Sequence, residues 1–310
     1  MSRQNILCFR PWRILLNGSI EVVAVESSNL DKYGKVILDD IYNERDPRAY
    51  FSTLNHLEYR IPQAAKPIFE EVFAAYRLLR GGGELKIADI GCSYGVNAAL
   101  LKHHFDMKDL YHRYAGGGSE AIERAGMIRR DRRDFSGGGD PSLEFVGVDQ
   151  AAKAVAYADE TDILDHGIVA DLESEVLDAE SALALSGSDL VISTGCVGYV
   201  GERTFRQIFH ATGAGRPWFA NFVLRMFSFA PLERLFADKG YVTEKAGGRL
   251  FRQRRYASPA ERTEVMARLR ERGVAARGEE ASDWLCAEFF LSRPAADAAR
   301  LPLAKILSEG

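Results

Sequence analysis

The sequence predicts an α/β fold: a doubly wound, mostly parallel sheet of seven strands behind an N-terminal helical extension. Three observations predict it. From Leu85 onward, short runs rich in Ile and Val alternate with helical patterns, the signature of successive βαβ units. The first of these runs breaks into the small-residue turn Gly91-Cys92-Ser93-Tyr94-Gly95 and then into a helix. Two later runs end in carboxylates, Asp149 and Asp171, at the pole where doubly wound sheets take their ligands.

The elements follow in order. Apolar runs over 13–16 and 19–25 flank Asn17-Gly18, a dipeptide that accepts the two positive φ angles of a tight hairpin. Asp46-Pro47 reads as a helix cap and a proline at the first helical position, opening a helix over 48–56. Pro62 opens a second helical stretch that runs to the Gly81-Gly82-Gly83 stop. Residues 1–83 therefore form the extension. Strands are expected at 85–90, 143–149, 167–170, 189–194, 218–225, 250–256 and 285–292, with the last two as an antiparallel pair at the sheet edge. Helices are expected at 96–103, 151–159, 174–185, 202–212, 230–238 and 259–272. The main domain is 84–294, followed by a tail over 295–310.

One connection is out of scale. Residues 104–142 are far more than the few usually needed between a helix and the next strand. They hold helix-like stretches at 107–114 and 120–135, separated and ended by Gly116-Gly117-Gly118 and Gly137-Gly138-Gly139. This insertion leaves from the strands' N-terminal pole, so it stays clear of a ligand unless it climbs the flank.

Composition narrows the class. A chain of 310 residues that is 46% hydrophobic can bury one large core. A net charge of −4 offers no basic excess for a nucleic-acid partner. The four cysteines fall in no paired or zinc-type spacing, which predicts free thiols, no metal and a reducing compartment. No apolar run approaches the roughly 18–20 residues of a membrane span, and those near the N-terminus are too short for a signal core. The expectation is a cytoplasmic protein that contacts no membrane, with a homodimer left open.

The densest chemistry lies in Lys86-Ile-Ala-Asp89-Ile-Gly91-Cys92-Ser93-Tyr94-Gly95, where glycines let the backbone approach a ligand. Turns of this kind also open nicotinamide-binding folds, although there the ribose acid follows after roughly 20 residues and Asp149 lies much further on. Asp149 is suited to accept hydrogen bonds from both hydroxyls of a ribose. Asp171 is placed to accept from an adenine amino group while Leu172 packs on the ring. Either acid alone is an ordinary helix cap; in series they describe an adenosine site.

With these features the chain resembles the class I S-adenosylmethionine (SAM)-dependent methyltransferases over about 85–294. Asp89, Gly91 and Gly95 match that family's acid-and-glycine motif, while Ser93 stands where its middle glycine would be. The resemblance implies a Rossmann-like methyltransferase fold and SAM as cosubstrate. It implies a binding set of Asp89, Gly91, Cys92, Ser93, Tyr94, Gly95, Asn97, Asp149, Gln150, Asp171, Leu172, Thr194 and Gly195. Asp39-Asp40-Ile-Tyr42, Asp46-Pro-Arg-Ala-Tyr50-Phe51 and Ser193-Thr-Gly-Cys-Val-Gly-Tyr199-Val also resemble a bacterial subgroup seen in natural-product pathways. That resemblance implies a small-molecule acceptor in bacterial secondary metabolism.

The sequence names no general base. Residues 194–200 hold no titratable group stronger than Cys196 and Tyr199, and none of the six histidines falls at a predicted strand carboxyl end. The extension supplies Tyr42, Tyr50, Phe51 and Tyr59 instead, and aromatic faces attract cations and exclude water. Tyr42, Tyr50 and Tyr199 are expected to wall the reacting methyl; packing of a helix onto the domain is an equally ordinary role for Tyr50 and Phe51. The missing base keeps a second reaction open, in which SAM is the only substrate and its α-amine displaces methylthioadenosine, as in azetidine-2-carboxylate synthases, which resemble methyltransferases in fold. A SAM-binding module without catalysis is a third reading. The arginine-rich stretches 129–133 and 249–255 are expected to be solvated faces or strand-edge charges.

Overall fold

The computed structural model describes residues 14–16, 19–21 and 30–308. Strands β1 (Ile14–Leu16) and β2 (Ser19–Glu21) pair antiparallel, Leu16 opposite Ser19, on either side of Asn17-Gly18, which lies outside the described residues. The extension continues with a single helical turn α1 (Asp39–Tyr42), α2 (Arg48–His56) and the long α3 (Ile61–Arg80), which stops at Gly81 in the left-handed conformation. Pro47 is the N-cap of α2, one residue earlier than its expected place inside the helix, and Asp46 accepts from the Arg48 backbone N–H behind it.

The main domain alternates as expected: β3 (Leu85–Ile90), α4 (Val96–Leu101), β4 (Leu143–Asp149), α7 (Ala152–Glu160), β5 (His166–Val169), α8 (Ala179–Leu185), β6 (Leu190–Thr194), α9 (Glu202–Thr212), β7 (Trp218–Leu224) and α10 (Ala230–Asp238). The insertion between α4 and β4 carries α5 (Met107–Ala115) and α6 (Arg124–Phe135). The chain ends with β8 (Tyr241–Lys245), β9 (Phe251–Arg255), α11 (Pro259–Glu271), α12 (Gly278–Ala281), β10 (Trp284–Pro294), α13 (Ala295–Arg300) and α14 (Leu303–Ile306).

The strands lie in the order β5-β4-β3-β6-β7-β10-β8, and β9 joins β10 off that path. The pairings from β5 through to β7 are all parallel, while β10 runs antiparallel to β7, β8 and β9. β3 and β7 are buried nearly throughout, as strands covered on both faces must be. One apolar core joins α3, α4, α7 and the insertion to one face; the other joins α8 to α11 to the opposite face. The sheet is thus doubly wound, with its topological switch between β3 and β6.

Three details differ from the sequence reading. β8 was missed, because Tyr241–Lys245 has one apolar residue buried and the rest partly solvated, which hides a strand at the sheet margin. It takes the path position expected for the 250–256 strand, and that segment, β9, is an eighth strand on the first half of β10. β9 and β10 pair antiparallel as expected, but β10 is interior rather than at the sheet edge. β9 also anchors the extension: Arg60 donates its backbone N–H to the Gln253 carbonyl (2.8 Å) and Arg255 donates to that of Leu57 (2.7 Å). Helix α8 starts at Ala179 under an Asp178 cap, later than 174, because Asp171 to Ser174 form a turn.

Candidate functional site

β3 delivers Asp89 to the switch point, fully buried. The chain then bends through Gly91 (φ +74°), Ser93 (φ +50°) and Gly95 (φ +74°) into α4. Glycine is required at 95: a Cβ there would stand 2.6 Å from the Ile163 side chain. At 91 a Cβ would meet the Cys196 side chain at 2.8 Å, so the loop after β6 packs directly on this turn. The Cys196 thiol donates to the Ile90 carbonyl (3.1 Å), and burial pushes it up to about 12, so it is neutral.

Three strand ends are stitched together by side chains. Asp149, at the end of β4, accepts from the Ser93 backbone N–H (2.9 Å) and the Ala151 backbone N–H (2.9 Å). Burial raises its carboxyl above the usual range, and those backbone donors oppose the shift. Asn97 on α4 donates to Asp89 (2.9 Å) and to the Thr194 hydroxyl at the end of β6 (3.2 Å). The second Asp89 oxygen and the Ser93 hydroxyl are buried without a partner. Burial drives the Asp89 carboxyl up to about 7; the Asn97 hydrogen bond opposes this and the Asp149 charge adds to it. A buried polar atom without a partner is costly, and two of them stand together here at the switch point.

The remaining expected residues spread around this centre. Cys92 and Tyr94 are buried, and Gln150 is exposed just past Asp149. Asp171 stands beyond β5, where it accepts from the Glu173 backbone N–H and the Ser174 hydroxyl; the hydroxyl first of all holds its carboxyl below the usual range. Leu172 beside it is buried. Gly195 (φ +89°) passes against the Gln253 amide of β9.

Over these ends lies a strap, residues 31–44. At one end Tyr199 donates its hydroxyl to Asp31 (2.6 Å) and meets Tyr33 edge-on at 5.2 Å. In the middle the Val36 backbone N–H donates to Glu261 of α11 (2.9 Å). At the far end the Tyr94 hydroxyl donates to the Glu44 carbonyl and accepts from its N–H, and Asn43 accepts from the Lys153 N–H at the start of α7. The strap thus crosses from the loop after β6 to the loop after β4. Of the three tyrosines expected as a wall, Tyr42 and Tyr50 are in edge contact at 5.4 Å, with Tyr50 also against Tyr94. Tyr199 sits in a separate group with Tyr33 and Phe227, and both Tyr42 and Tyr199 lie within electrostatic reach of Arg254.

The insertion climbs the flank. Arg48 of α2 donates to the carbonyls of Ser119 and Ile122, Tyr111 of α5 donates to the Tyr59 carbonyl, Arg124 of α6 donates to the Arg45 carbonyl, and Phe51 stacks on Tyr114 at 5.0 Å. It also reaches α7, where the Tyr157 hydroxyl donates to Asp131 and Arg124 to Glu160, and its Leu110 and Tyr114 line a small cavity with Tyr94 of the turn after β3. An open groove of about 530 Å³ on the insertion lies between Phe105, Asp109, Arg113 and Arg130, but both arginines are committed to Asp131.

Sequence reasoning missed three charged residues. Arg254, placed among solvated or strand-edge charges, is buried and pairs with Glu261 through two hydrogen bonds (2.8 and 2.6 Å); its strand β9 faces α11 rather than solvent. Lys35 lies on the strap with its ammonium 4.7 Å from the Tyr199 ring centre. The spacing of Arg254 and Glu261 across a strand-to-helix turn was a usable signal; nothing local marked Lys35. Cys92, Cys196 and Cys286 are free thiols, and Cys8 lies outside the described residues. Among the described residues no cluster of three or more His, Cys, Asp or Glu is placed to hold a metal ion, and no helix is long and apolar enough to cross a membrane.

No family model matches the chain, and no curated protein matches it. Among solved structures it is similar to the plantazolicin methyltransferase BpumL in complex with SAH (13% identity, 83% of this chain and 97% of that one, TM-score 0.41). It is also similar to a TehB-like SAM-dependent methyltransferase from Corynebacterium glutamicum (16% identity, 69% and 85%, TM-score 0.33). A third similar solved structure is that of YjhP from E. coli (12% identity, 79% and 99%, TM-score 0.34).

Proposed function

We propose that this protein binds SAM at the carboxyl ends of β3, β4 and β5 and transfers its methyl group to a small molecule, in the cytoplasm and within bacterial secondary metabolism. The observation that carries the reading is the buried, unpartnered Asp89 oxygen beside the Gly91–Gly95 bend, with Asp149 at the next strand end. The fold and the motif resemblance support it: a doubly wound sheet with its switch between β3 and β6 takes ligands there.

The residues present fit the cosubstrate. Asp89 offers an acceptor to the α-ammonium, Asp149 to the ribose hydroxyls, and Asp171 with Leu172 to the adenine. Bound SAM supplies an electrophilic methyl on a sulfonium. The chain's own contribution is to hold and orient: the Gly91–Gly95 bend lets the backbone close on the methionine portion, Tyr42 and Tyr50 offer aromatic faces to a cation, and the strap excludes water. The acceptor is aligned between the strap and residues 194–199.

A second reading, in which SAM is the only substrate and closes on itself, is favoured by one observation. The strap is tied at both ends, by Asp31 to Tyr199 and by Glu44 to Tyr94, and so covers the side from which an acceptor enters. Incubation with SAM alone and identification of the released nucleoside tests both. Acceptor-dependent S-adenosylhomocysteine (SAH) supports methyl transfer; methylthioadenosine without an acceptor overturns it in favour of cyclisation. Absence of any calorimetric heat with SAM and SAH overturns both.

A further inference from the structure

We propose that Lys35 is the proton acceptor of the reaction: its amine, held by the strap at the sulfonium end of the site, takes the proton that the nucleophile loses. The inference rests on the methyl-transfer reading. It supplies the base for which the sequence has no candidate, and it defines the acceptor class as a nucleophile that arrives protonated, a hydroxyl or an ammonium.

The geometry around Lys35 is unusual for a lysine. Its ammonium lies 4.7 Å from the Tyr199 ring centre, in the loop whose Cys196 packs on Gly91. Two acids face it, Asp31 from its own turn and Glu261 from α11, yet among the described residues it has no ion pair with either. Both carboxylates are already spent. Asp31 accepts from the Tyr33 and Lys35 backbone N–H groups and from the Tyr199 hydroxyl. Glu261 accepts from both Arg254 nitrogens and from the Val36 and Ala257 backbone N–H groups.

Every element packed on Lys35 contributes to its proton affinity. Burial comes first and lowers it, and the Arg254 cation on β9 lowers it again; Glu261 and Asp31 oppose these, the Cys196 thiol on the loop after β6 faces it uncharged, and the amine is left lowered to about 8. Elsewhere on the strap and α11, Lys32 lies over the Tyr33 ring, while Arg268 pairs with Glu264 and donates to the Lys32 carbonyl. A lysine of that kind is partly neutral near pH 7, where a base is useful. A sulfonium bound nearby disfavours the ammonium further. The acceptor's proton passes to the Lys35 amine, the lone pair freed or sharpened on its oxygen or nitrogen forms the bond to the methyl carbon, the methyl–sulfur bond breaks with its electrons on sulfur, SAH leaves neutral there, and Lys35 returns its proton to water.

The charge of the sulfonium gives a test that needs no known acceptor. SAM carries it and SAH does not, so the ratio of their affinities reads the local charge. For the wild-type protein, calorimetry from pH 6.5 to 9.5 is expected to show SAM gaining on SAH by on the order of tenfold as Lys35 loses its proton. Lys35→Met is expected to abolish that gain and Lys35→Arg to hold the ratio at its low-pH value. In lysine-labelled protein the Lys35 side-chain resonance is expected to titrate near 8 and to move lower with SAM than with SAH. A ratio independent of pH, or one unchanged by Lys35→Met, overturns the role of Lys35 while leaving SAM binding intact. Failure of both ligands to bind overturns the SAM reading, and this proposal with it.

Discussion

Replacing Asp89 by Asn tests the centre of the site, because the two side chains have the same shape and only one can ionise. The Asp89 carboxyl is raised from 3.8 to about 7, chiefly by burial. Below about pH 4 it is protonated in both folded and unfolded chains, and the folded state holds its full advantage. Between pH 4 and 7 the unfolded chain has lost this proton while the folded one keeps it, so stability falls as pH rises through the folded value. Above 7 the folded protein carries a buried carboxylate. A gap of roughly three pK units at about 1.4 kcal/mol each sets a ceiling of about 4 kcal/mol on that cost. Asp89→Asn keeps an acceptor for Asn97 and escapes the ionisation. Urea unfolding is expected to show the variant more stable than wild type at pH 8, by up to about 4 kcal/mol, with the difference vanishing towards pH 4. The variant should lose SAM affinity, and wild type at pH 6 should release a proton on binding SAM, seen as a buffer-dependent heat. Parallel stability profiles across this range, or proton uptake on binding, would refute the reasoning.

Other expectations rest on individual contacts. Asp149→Asn should weaken SAH binding at least about tenfold by calorimetry, because it removes an acceptor charge beside the ribose position. Gly95→Ala should lower stability by about 1–3 kcal/mol in denaturant unfolding, since the left-handed φ and the Ile163 contact both oppose a Cβ. Glu261→Gln should cost about 3–5 kcal/mol by leaving Arg254 buried with a weakened partner, and should loosen the strap at Val36. Arg48→Ala should raise amide hydrogen exchange at 119–122 and in α2 while leaving β3 and β7 protected.

The parts of the fold written in local periodicity were legible. β3 and β4 end where their apolar runs end, and α2, α9 and α10 match the expected bounds. β8 was not, because a margin strand need not alternate cleanly; the antiparallel pairing of β9 with β10 was legible, and its place off the main path of the sheet was not. In the site, Asp89, Asn97, Asp149 and Thr194 meet because a parallel sheet brings successive strand ends together, which is a consequence of topology that sequence order already implies. Lys35 and the two ends of the strap are placed by contacts distant in sequence, Asp31 with Tyr199 and Glu44 with Tyr94, and no local pattern encodes them.

The elements added to the doubly wound core share one destination. β9 pairs with residues 57–60, the insertion holds α2 and the Tyr59 carbonyl, and α11 holds Val36 through Glu261. A bare core leaves its strand ends open to water, where aromatic and ionic contacts are weak. Three separate attachments of one N-terminal segment raise the cost of lifting it, since each must break before the segment clears the site. Loss of an attachment made outside the two apolar cores is then expected to change ligand exchange more than global stability. Arg48 is the cleanest place to separate the two: among the described residues its guanidinium hydrogen-bonds to the Asp46 side chain and the insertion carbonyls and to no residue of the sheet. In Arg48→Ala, SAH dissociation should accelerate by at least about threefold while the urea midpoint moves little; an unchanged dissociation rate would show that the insertion does not hold the strap over the site.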